Sequence, residues 1–202
     1  MARARVVVLV SGGGTNLQAL IDATSDADYP ANVVAVGSDR PDIAALERAA
    51  AAEIPTFVTS PEHYLDRPTW DSALADATTA YRPDLVVLAG YMRLVGPVFL
   101  AQFPHQVINT HPALSPAFPG MHGPRDALAY GVKVTGCTIF VVGAGVDTGP
   151  IVAQEVVPVL DDDDEETLHE RIKQRERELL VNTVAELVTG SYRIEGRKVV
   201  RT

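Results

Sequence analysis

Residues 5–21 read RVVVLVSGGGTNLQALI, and this stretch decides the fold. Residues 5–10 are β-branched and almost wholly apolar, which is typical of a central parallel strand covered on both faces. The glycine-rich residues 11–16 then turn the chain into residues 17–21, where the apolar side chains have helical spacing. A strand, a glycine turn and a helix in this order predict the start of a βαβ unit.

The same alternation continues through the N-terminal half. Further strands are predicted at residues 32–36, 56–58, 85–89 and 107–109, and helices at residues 44–52, 67–80 and 96–103. Such alternation predicts right-handed βαβ units. We therefore expect an α/β fold: one domain with an open, mostly parallel, twisted sheet, helices on both faces and a Rossmann-like N-terminal half. The halves are expected at residues 1–108 and 109–190, followed by a basic C-terminal tail at residues 191–202 with no recognisable motif.

The second half of the chain differs from the first in composition and in its predicted loops. Prolines and glycines crowd residues 111–124 and predict a long loop, which in a compact domain is more often functional than accidental. Two β-rich runs, residues 134–142 and 151–159, bracket a glycine-rich segment and predict a hairpin-like connection. The acidic residues 161–164 are interpreted as a solvated run that favours the N-terminus of a helix at about residues 165–188. The expected core face of that helix comprises Leu168, Ile172, Leu179, Leu180 and Leu187.

Composition and charge exclude several classes of function. The 202 residues carry a formal net charge of −9, which argues against broad binding to nucleic acid or to an anionic membrane. The apolar run at residues 5–10 is too short for a membrane span or a signal-peptide core. A single cysteine, Cys137, cannot form an internal disulfide and fits a cytoplasmic protein. The histidines show no close ligand spacing, so we expect no metal.

The glycine loop at residues 11–16 is a candidate anion site. Glycine lets the backbone approach an anion, and a helix N-terminus supplies free N–H groups and positive partial charge. A dinucleotide fingerprint is the competing interpretation, with Asp39 as a possible ribose-binding acid. Leu17 stands where that fingerprint needs a third glycine, so a single phosphate on Gly14, Thr15 and Asn16 fits better. A plain tight turn is the remaining alternative.

Asn109 and His111 are the main candidates for catalysis. They are two residues apart at the end of a predicted strand, so their side chains point to one side. A carboxamide can donate to a developing oxyanion, and an imidazole carries a proton near neutral pH. Asp147, in the second glycine-rich loop, could orient the imidazole and favour its charged form. The alternatives are a plain strand end for the first pair and a turn aspartate beside Gly149 for Asp147.

Glu176 is a third candidate, because it falls on the apolar line of the last helix. A buried carboxylate needs a partner, and ligand hydroxyls would serve. Pairing with Lys173, three residues earlier, is an equally good explanation. Arg67 and Arg93 could each face a carboxylate, although surface solubility is the default for a lone arginine.

Motifs in the chain together resemble the glycinamide ribonucleotide transformylase family, also called phosphoribosylglycinamide formyltransferase. They run in matching order and spacing between about residues 6 and 180: Ser11-Gly12-Gly13-Gly14-Thr15-Asn16, Leu88-Ala89-Gly90-Tyr91-Met92-Arg93, Asn109-Thr110-His111-Pro112-Ala113-Leu114, Phe118-Pro119-Gly120-Met121-His122 and Asp147-Thr148-Gly149-Pro150. The resemblance implies an enzyme of purine biosynthesis that transfers a formyl group from 10-formyltetrahydrofolate to the primary amine of glycinamide ribonucleotide. The enzyme that the resemblance implies requires no metal.

The resemblance also implies roles for individual residues. Asn109, His111 and Asp147 form its catalytic trio. The ribonucleotide is expected on Gly14, Thr15, Asn16, Pro112, Lys173 and Glu176, with the phosphate on the glycine loop and the ribose hydroxyls on Glu176. The folate is expected on Arg93, Leu94 and Val95 and on Val142, Gly143, Ala144, Gly145 and Val146, with Arg67 facing its glutamate tail. The partners are these small molecules, and the chain is a monomer or a homodimer.

Two features depart from the family pattern. Phe140 stands where relatives commonly have histidine, and Gly123-Pro124 follows His122 without the second histidine of some relatives. The rival functions are methionyl-tRNA formyltransferase and formyltetrahydrofolate hydrolase, which share the Asn-x-His core but usually carry an added domain for which 202 residues leave no room. A nucleotide-binding module without catalysis is a third, and it would have no need of His111 or Asp147.

Overall fold

The computed structural model describes residues 2–201 and divides into two compact units. The first unit ends at Asn109 and the second begins at Thr110, so the strand that carries both residues contributes to each unit.

The first unit alternates strands and helices. Its elements are β1 (Ala4–Val10), α1 (Thr15–Thr24), β2 (Ala31–Ser38), α2 (Ala44–Ala51), β3 (Thr56–Val58), a short 3₁₀ helix (Pro61–His63), α3 (Arg67–Thr79), β4 (Leu85–Leu88), α4 (Pro97–Gln102) and β5 (Val107–His111). The strands lie in the order β3-β2-β1-β4-β5, and all their pairs are parallel.

Strand β1 is the centre of this unit because it pairs with β2 on one side and β4 on the other. Val7, Val8, Leu9 and Val10 are each 0% exposed, as expected of a strand covered on both faces. The α/β class and the mostly parallel sheet predicted from the sequence are confirmed.

The second unit is built on an antiparallel pair. Its elements are α5 (Gly123–Tyr130), β6 (Val134–Val141), β7 (Ile151–Pro158), α6 (Glu165–Thr189), β8 (Tyr192–Glu195) and β9 (Lys198–Arg201). Strands β6 and β7 form the predicted hairpin-like pair, with Val134 opposite Pro158 and Phe140 opposite Ile151. Helix α6 packs over this pair through a core cluster of Cys137, Val157, Leu168 and Ile172, with Leu179 packed against it.

The N-terminus of α6 is fixed by the acidic run that precedes it. Asp164 and Thr167 form a reciprocal capping box. Asp163 accepts two hydrogen bonds from the guanidinium of Arg171, at 2.7 and 2.6 Å. The run is therefore more than a solvated surface, since two of its carboxylates hold the helix start in place.

Two expectations for the loop after β5 need correction. Strand β5 does not end at Asn109 but continues to His111, because Thr110 and His111 are themselves buried in the sheet. The loop expected at residues 111–124 ends earlier, since Gly123 and Pro124 open helix α5. Proline suits this first turn because its missing N–H has no helical partner there.

Residues 192–201, in the predicted basic C-terminal tail, form a β-hairpin. Strands β8 and β9 are antiparallel, with Tyr192 opposite Arg201 at one end and Glu195 opposite Lys198 at the other. Strand β9 also pairs with β7, where Lys198 lies opposite Ile151. Gly196 at the turn has a φ of 61°, which glycine adopts without a steric penalty.

Between residues 2 and 201, no helix is both long and apolar enough to cross a membrane.

Candidate active site

Strand β5 presents the first two candidate residues. Asn109 and His111 lie two positions apart on this strand, so they share one of its faces. Asn109 is half-buried beside Leu88 of β4. Within the described chain its carboxamide makes no hydrogen bond, so both donors of the amide are available to a ligand.

The imidazole of His111 is only 3% exposed and is held from both ends. Its Nε2 lies 2.9 Å from the carbonyl oxygen of Phe118. Because a carbonyl oxygen can only accept, Nε2 is the donor in this contact, which leaves Nδ1 as the ring nitrogen that faces Asp147. Nδ1 lies 3.6 Å from Oδ2 of Asp147, which is too long for a direct hydrogen bond but close for two opposite charges.

Asp147 comes from the loop that joins β6 to β7. Its φ of 50° is left-handed, a conformation that aspartate tolerates better than most residues. Its Oδ2 accepts a hydrogen bond of 2.7 Å from the backbone N–H of Gly120. Gly149 closes the loop tightly, because a Cβ there would lie 1.8 Å from the carbonyl oxygen of Val141.

The segment after Pro112 links these contacts, and two side chains of the β6–β7 pair hold it. Thr138 donates to the carbonyl of Ala113 and accepts from the N–H of Ser115, at 2.7 and 2.9 Å. Gln154 donates to both Thr138 and the carbonyl of Ser115. The segment that touches His111 and Asp147 is therefore fixed near its start by a network that the sequence analysis did not identify.

The glycine loop of the first unit is built as an open backbone surface. A Cβ at Gly12 or Gly13 would meet nothing within 4 Å. A Cβ at Gly14, which has a φ of 72°, would lie only 2.6 Å from the Cβ of Ala45. The carbonyl oxygens of Gly12 and Gly13 are bound by the N–H of Ala45 and the guanidinium of Arg48. With these acceptors occupied, the loop leads into the start of α1, whose first turn has no acidic residue and whose N-terminus carries positive partial charge.

Asp39 is 2% exposed and belongs to an internal network. Burial raises the pKa of Asp39, but hydrogen bonds from Ser11, Arg93 and Arg40 outweigh it and bring the pKa below its ordinary value. The Nε of Arg93 lies 2.8 Å from Oδ2 of Asp39. Since this carboxylate is buried and its Oδ2 is paired with Arg93, Asp39 is better explained by this internal network than by ribose binding.

The segment that follows β4 exposes apolar side chains. Met92 and Leu94 are 56% and 59% exposed, while Val95 is buried. The next residues are anchored by Asp71, whose carboxylate accepts from the N–H groups of Gly96, Val98 and Phe99.

Arg67, at the first position of α3, lies over the ring of Trp70 with its Cζ 4.5 Å from the ring centroid. The residue remains exposed, so its guanidinium can still meet a carboxylate.

Helix α6 carries the remaining predicted site residues. Glu176 is 6% exposed and lies on the same buried line as Ile172 and Leu180, as its spacing predicts. Lys173 is 2.6 Å from the carboxylate of Glu170. Burial, with the nearby carboxylate of Glu176, raises the pKa of Cys137 to about 12, so this thiol is no candidate nucleophile.

The structure thus brings His111 and Asp147 together and places Asn109 on the strand of His111. The loop residues Val142 and Gly143 are half-buried, and Ala144, Gly145 and Val146 are exposed beside Asp147. Pro112, directly after His111, is half-buried. Across residues 2–201, no group of three histidine, cysteine, aspartate or glutamate side chains is arranged to hold a metal ion. The carbonyl of Phe118 has no side-chain signal in the sequence, and Asp71 lies on an ordinary helix, so sequence reasoning missed both.

Comparison with known proteins identifies the class. Residues 4–184 match the formyl transferase family model. The chain therefore belongs to the formyl transferase family.

Individual relatives are more specific. Phosphoribosylglycinamide formyltransferase of Mycobacterium tuberculosis (strain CDC 1551 / Oshkosh) is 58% identical over 196 residues, which cover 97% of this chain and 90% of that protein. The human trifunctional purine biosynthetic protein adenosine-3 is 38% identical, over 95% of this chain but 19% of that protein. The crystal structure of glycinamide ribonucleotide transformylase 1 from Symbiobacterium toebii matches with a TM-score of 0.95 and 46% identity, over 98% of this chain and 93% of that chain. These comparisons confirm the predicted resemblance and, with it, the predicted formyl transfer to glycinamide ribonucleotide in purine biosynthesis.

Proposed function

We propose that the chain transfers the formyl group of 10-formyltetrahydrofolate to the primary amine of glycinamide ribonucleotide through Asn109, His111 and Asp147. The observation that carries this proposal is the placement of the His111 ring, with Nε2 on the carbonyl of Phe118 and Nδ1 facing Asp147. A plain structural histidine would need only the first of these contacts.

The proposed reaction uses the carboxamide of Asn109, the imidazole of His111 and the carboxylate of Asp147. The amine nitrogen attacks the formyl carbon, a C–N bond forms, and the formyl oxygen gains negative charge. The carboxamide of Asn109 and the Nδ1–H of the His111 imidazolium donate to that oxygen, and the carboxylate of Asp147 balances the positive ring. The C–N10 bond of the folate then breaks. One proton passes from the attacking nitrogen to the leaving folate nitrogen, through water held by Asp147.

The ribonucleotide phosphate binds the N–H groups at Gly14, Thr15 and Asn16. The open backbone of this loop, the bound carbonyls behind it and the absence of acidic residues from the first turn of α1 support this assignment. Lys173 supplies a cation, Glu176 receives the ribose hydroxyls and Pro112 lines the path to the trio.

The folate lies against Arg93, Leu94 and Val95 and against the loop at residues 142–146. The exposed Leu94 and Val146 side chains support this assignment, because a pterin ring buries apolar surface when it binds. Arg93 already pairs with Asp39, so Arg67 is the better candidate for the carboxylates of the glutamate tail.

Charge and composition predict that the chain acts in the cytoplasm and binds neither nucleic acid nor membrane. The histidine spacing and the family resemblance predict that it needs no metal. A monomer or a homodimer is expected.

An absorbance assay tests the proposed function. The protein is mixed with a 10-formyl folate, with and without glycinamide ribonucleotide, and deformylation of the folate is followed. Turnover that requires the ribonucleotide is expected. Equal turnover without it would indicate a hydrolase, and no turnover in either mixture would contradict the proposal.

A further inference from the structure

The C-terminal hairpin touches the loop that carries Asp147. Arg197, in the turn between β8 and β9, donates from Nη1 to the carbonyl oxygen of Thr148 at 2.9 Å. Thr148 is the next residue after Asp147, so this hydrogen bond ends one peptide unit from the candidate catalytic carboxylate.

The hairpin is well placed to act as a brace. Lys198, which follows Arg197, lies opposite Ile151, the first residue of β7 after the loop. The turn residue Arg197 is therefore held in register with the exit of the loop by a strand pairing. Its side chain spans from that fixed point to the interior of the loop.

The Asp147 loop needs such a brace because its conformation is unusual. Asp147 has a left-handed φ of 50°, and the loop contains three glycines, Gly143, Gly145 and Gly149, whose backbone is conformationally permissive. The backbone N–H of Gly120 holds the carboxylate of Asp147, and Arg197 holds the carbonyl of the next residue, Thr148. One hydrogen bond therefore fixes the side chain and the other fixes the adjoining backbone.

We infer that Arg197 is a positioning residue for the transfer reaction, which sets the backbone of the Asp147 loop so that the carboxylate faces Nδ1 of His111. This inference rests on the proposed role of Asp147. Within residues 2–201, the hydrogen bond of Arg197 goes neither to the trio nor to a residue proposed to bind the ribonucleotide, so its expected effect is on turnover and not on ribonucleotide binding.

The hairpin offers a matched control. Arg193 is equally part of the hairpin and is exposed, but it pairs with Glu195 on its own strand and makes no contact with the loop within the described residues. Removing its charge changes the surface of the hairpin as much as removing that of Arg197 does. Only the Arg197 change removes the bond to Thr148.

The test compares Arg197→Met, Arg197→Lys and Arg193→Met in steady-state kinetics, with thermal unfolding of each protein. Arg197→Met is expected to lower kcat about tenfold, the size of one charge-assisted hydrogen bond, with the KM for the ribonucleotide and the melting temperature nearly unchanged. Arg197→Lys, which keeps a donor, should recover most of kcat, and Arg193→Met should match the wild type. Wild-type kcat in Arg197→Met, an equal loss in Arg193→Met, or a loss that tracks a lower melting temperature would overturn the inference.

A double variant separates this inference from the function beneath it. In an Asp147→Asn background, Arg197→Met should cost little more, because the group that it positions is already lost. A full additional tenfold loss would show that Arg197 acts elsewhere. A wild-type rate for Asp147→Asn alone would instead contradict the proposed function.

Discussion

The Nδ1 atom of His111 and the Oδ2 atom of Asp147 lie 3.6 Å apart, although the two residues come from a strand and a distant loop. The opposite ring nitrogen is bound to the carbonyl of Phe118, and the carboxylate is bound to the N–H of Gly120. Both anchors belong to the segment between β5 and α5. One stretch of backbone therefore orients both partners of the pair.

Replacing Asn109 with aspartate tests the oxyanion role of the carboxamide. The change keeps the shape but removes the donor and adds a negative charge beside the developing oxyanion. We expect kcat to fall by about 10²–10³, as for the loss of one oxyanion donor, with the affinity for the ribonucleotide largely kept. Steady-state kinetics and ribonucleotide binding by calorimetry would measure the two effects. A wild-type kcat would remove Asn109 from the chemistry.

Glu176→Gln tests ribose binding by the buried carboxylate of α6. We expect a KM for glycinamide ribonucleotide raised about tenfold, because a charged acceptor of the ribose hydroxyls is lost, with little change in kcat. Glu178→Gln is the matched control, since Glu178 is exposed and pairs with Arg175 on the same helix. An unchanged KM together with a lower melting temperature would favour a purely structural role for Glu176. Within the described residues, the ion pair of Lys173 is with Glu170 rather than with Glu176, the partner suggested by the spacing.

Asp163→Asn tests the anchor of helix α6 through its pH dependence. The hydrogen bonds from Arg171, against a smaller opposing effect of burial, lower the pKa of Asp163 to about 2. A carboxyl with a lowered folded-state pKa stabilises the fold above its unfolded pKa of about 3.9 and loses this effect as the pH falls toward 2. We therefore expect the variant to melt below the wild type at pH 7 and the gap to close between about pH 4 and pH 2.

Asp162→Asn is the control for that experiment, because Asp162 lies in the same acidic run but forms no hydrogen bond to Arg171. Thermal unfolding followed by circular dichroism across this pH range gives the comparison. A gap that stays constant down to pH 2, or an equal gap for Asp162→Asn, would show that the pairing with Arg171 does not stabilise the helix.

Local patterns predicted the parts of the fold that depend on short-range chemistry. The apolar run of β1, the glycine turn after it and the spacing of Leu168, Ile172 and Leu180 each fix one element and its buried face. The period-two spacing of Asn109 and His111 predicted their common face in the same way.

The remainder depended on contacts between distant residues. Gly123-Pro124 is typical of a loop, but both residues are buried at the start of helix α5, which the local sequence does not indicate. The C-terminal strands are four residues each, too short to show alternation above background, and they form because β9 pairs with β7. The hydrogen bond from His111 to Phe118 uses a backbone carbonyl, which every residue possesses, so no side chain in the sequence indicates it.

The central claim is that Asp147 acts on the transfer step through His111. The most direct test is the single-turnover rate of formyl transfer by Asp147→Asn with both substrates saturating, alongside the ribonucleotide dissociation constant. We predict a rate lower by a factor on the order of hundreds, as for the loss of a charge-orienting partner, with a dissociation constant close to that of the wild type. An unchanged rate with weakened ribonucleotide binding would contradict this account.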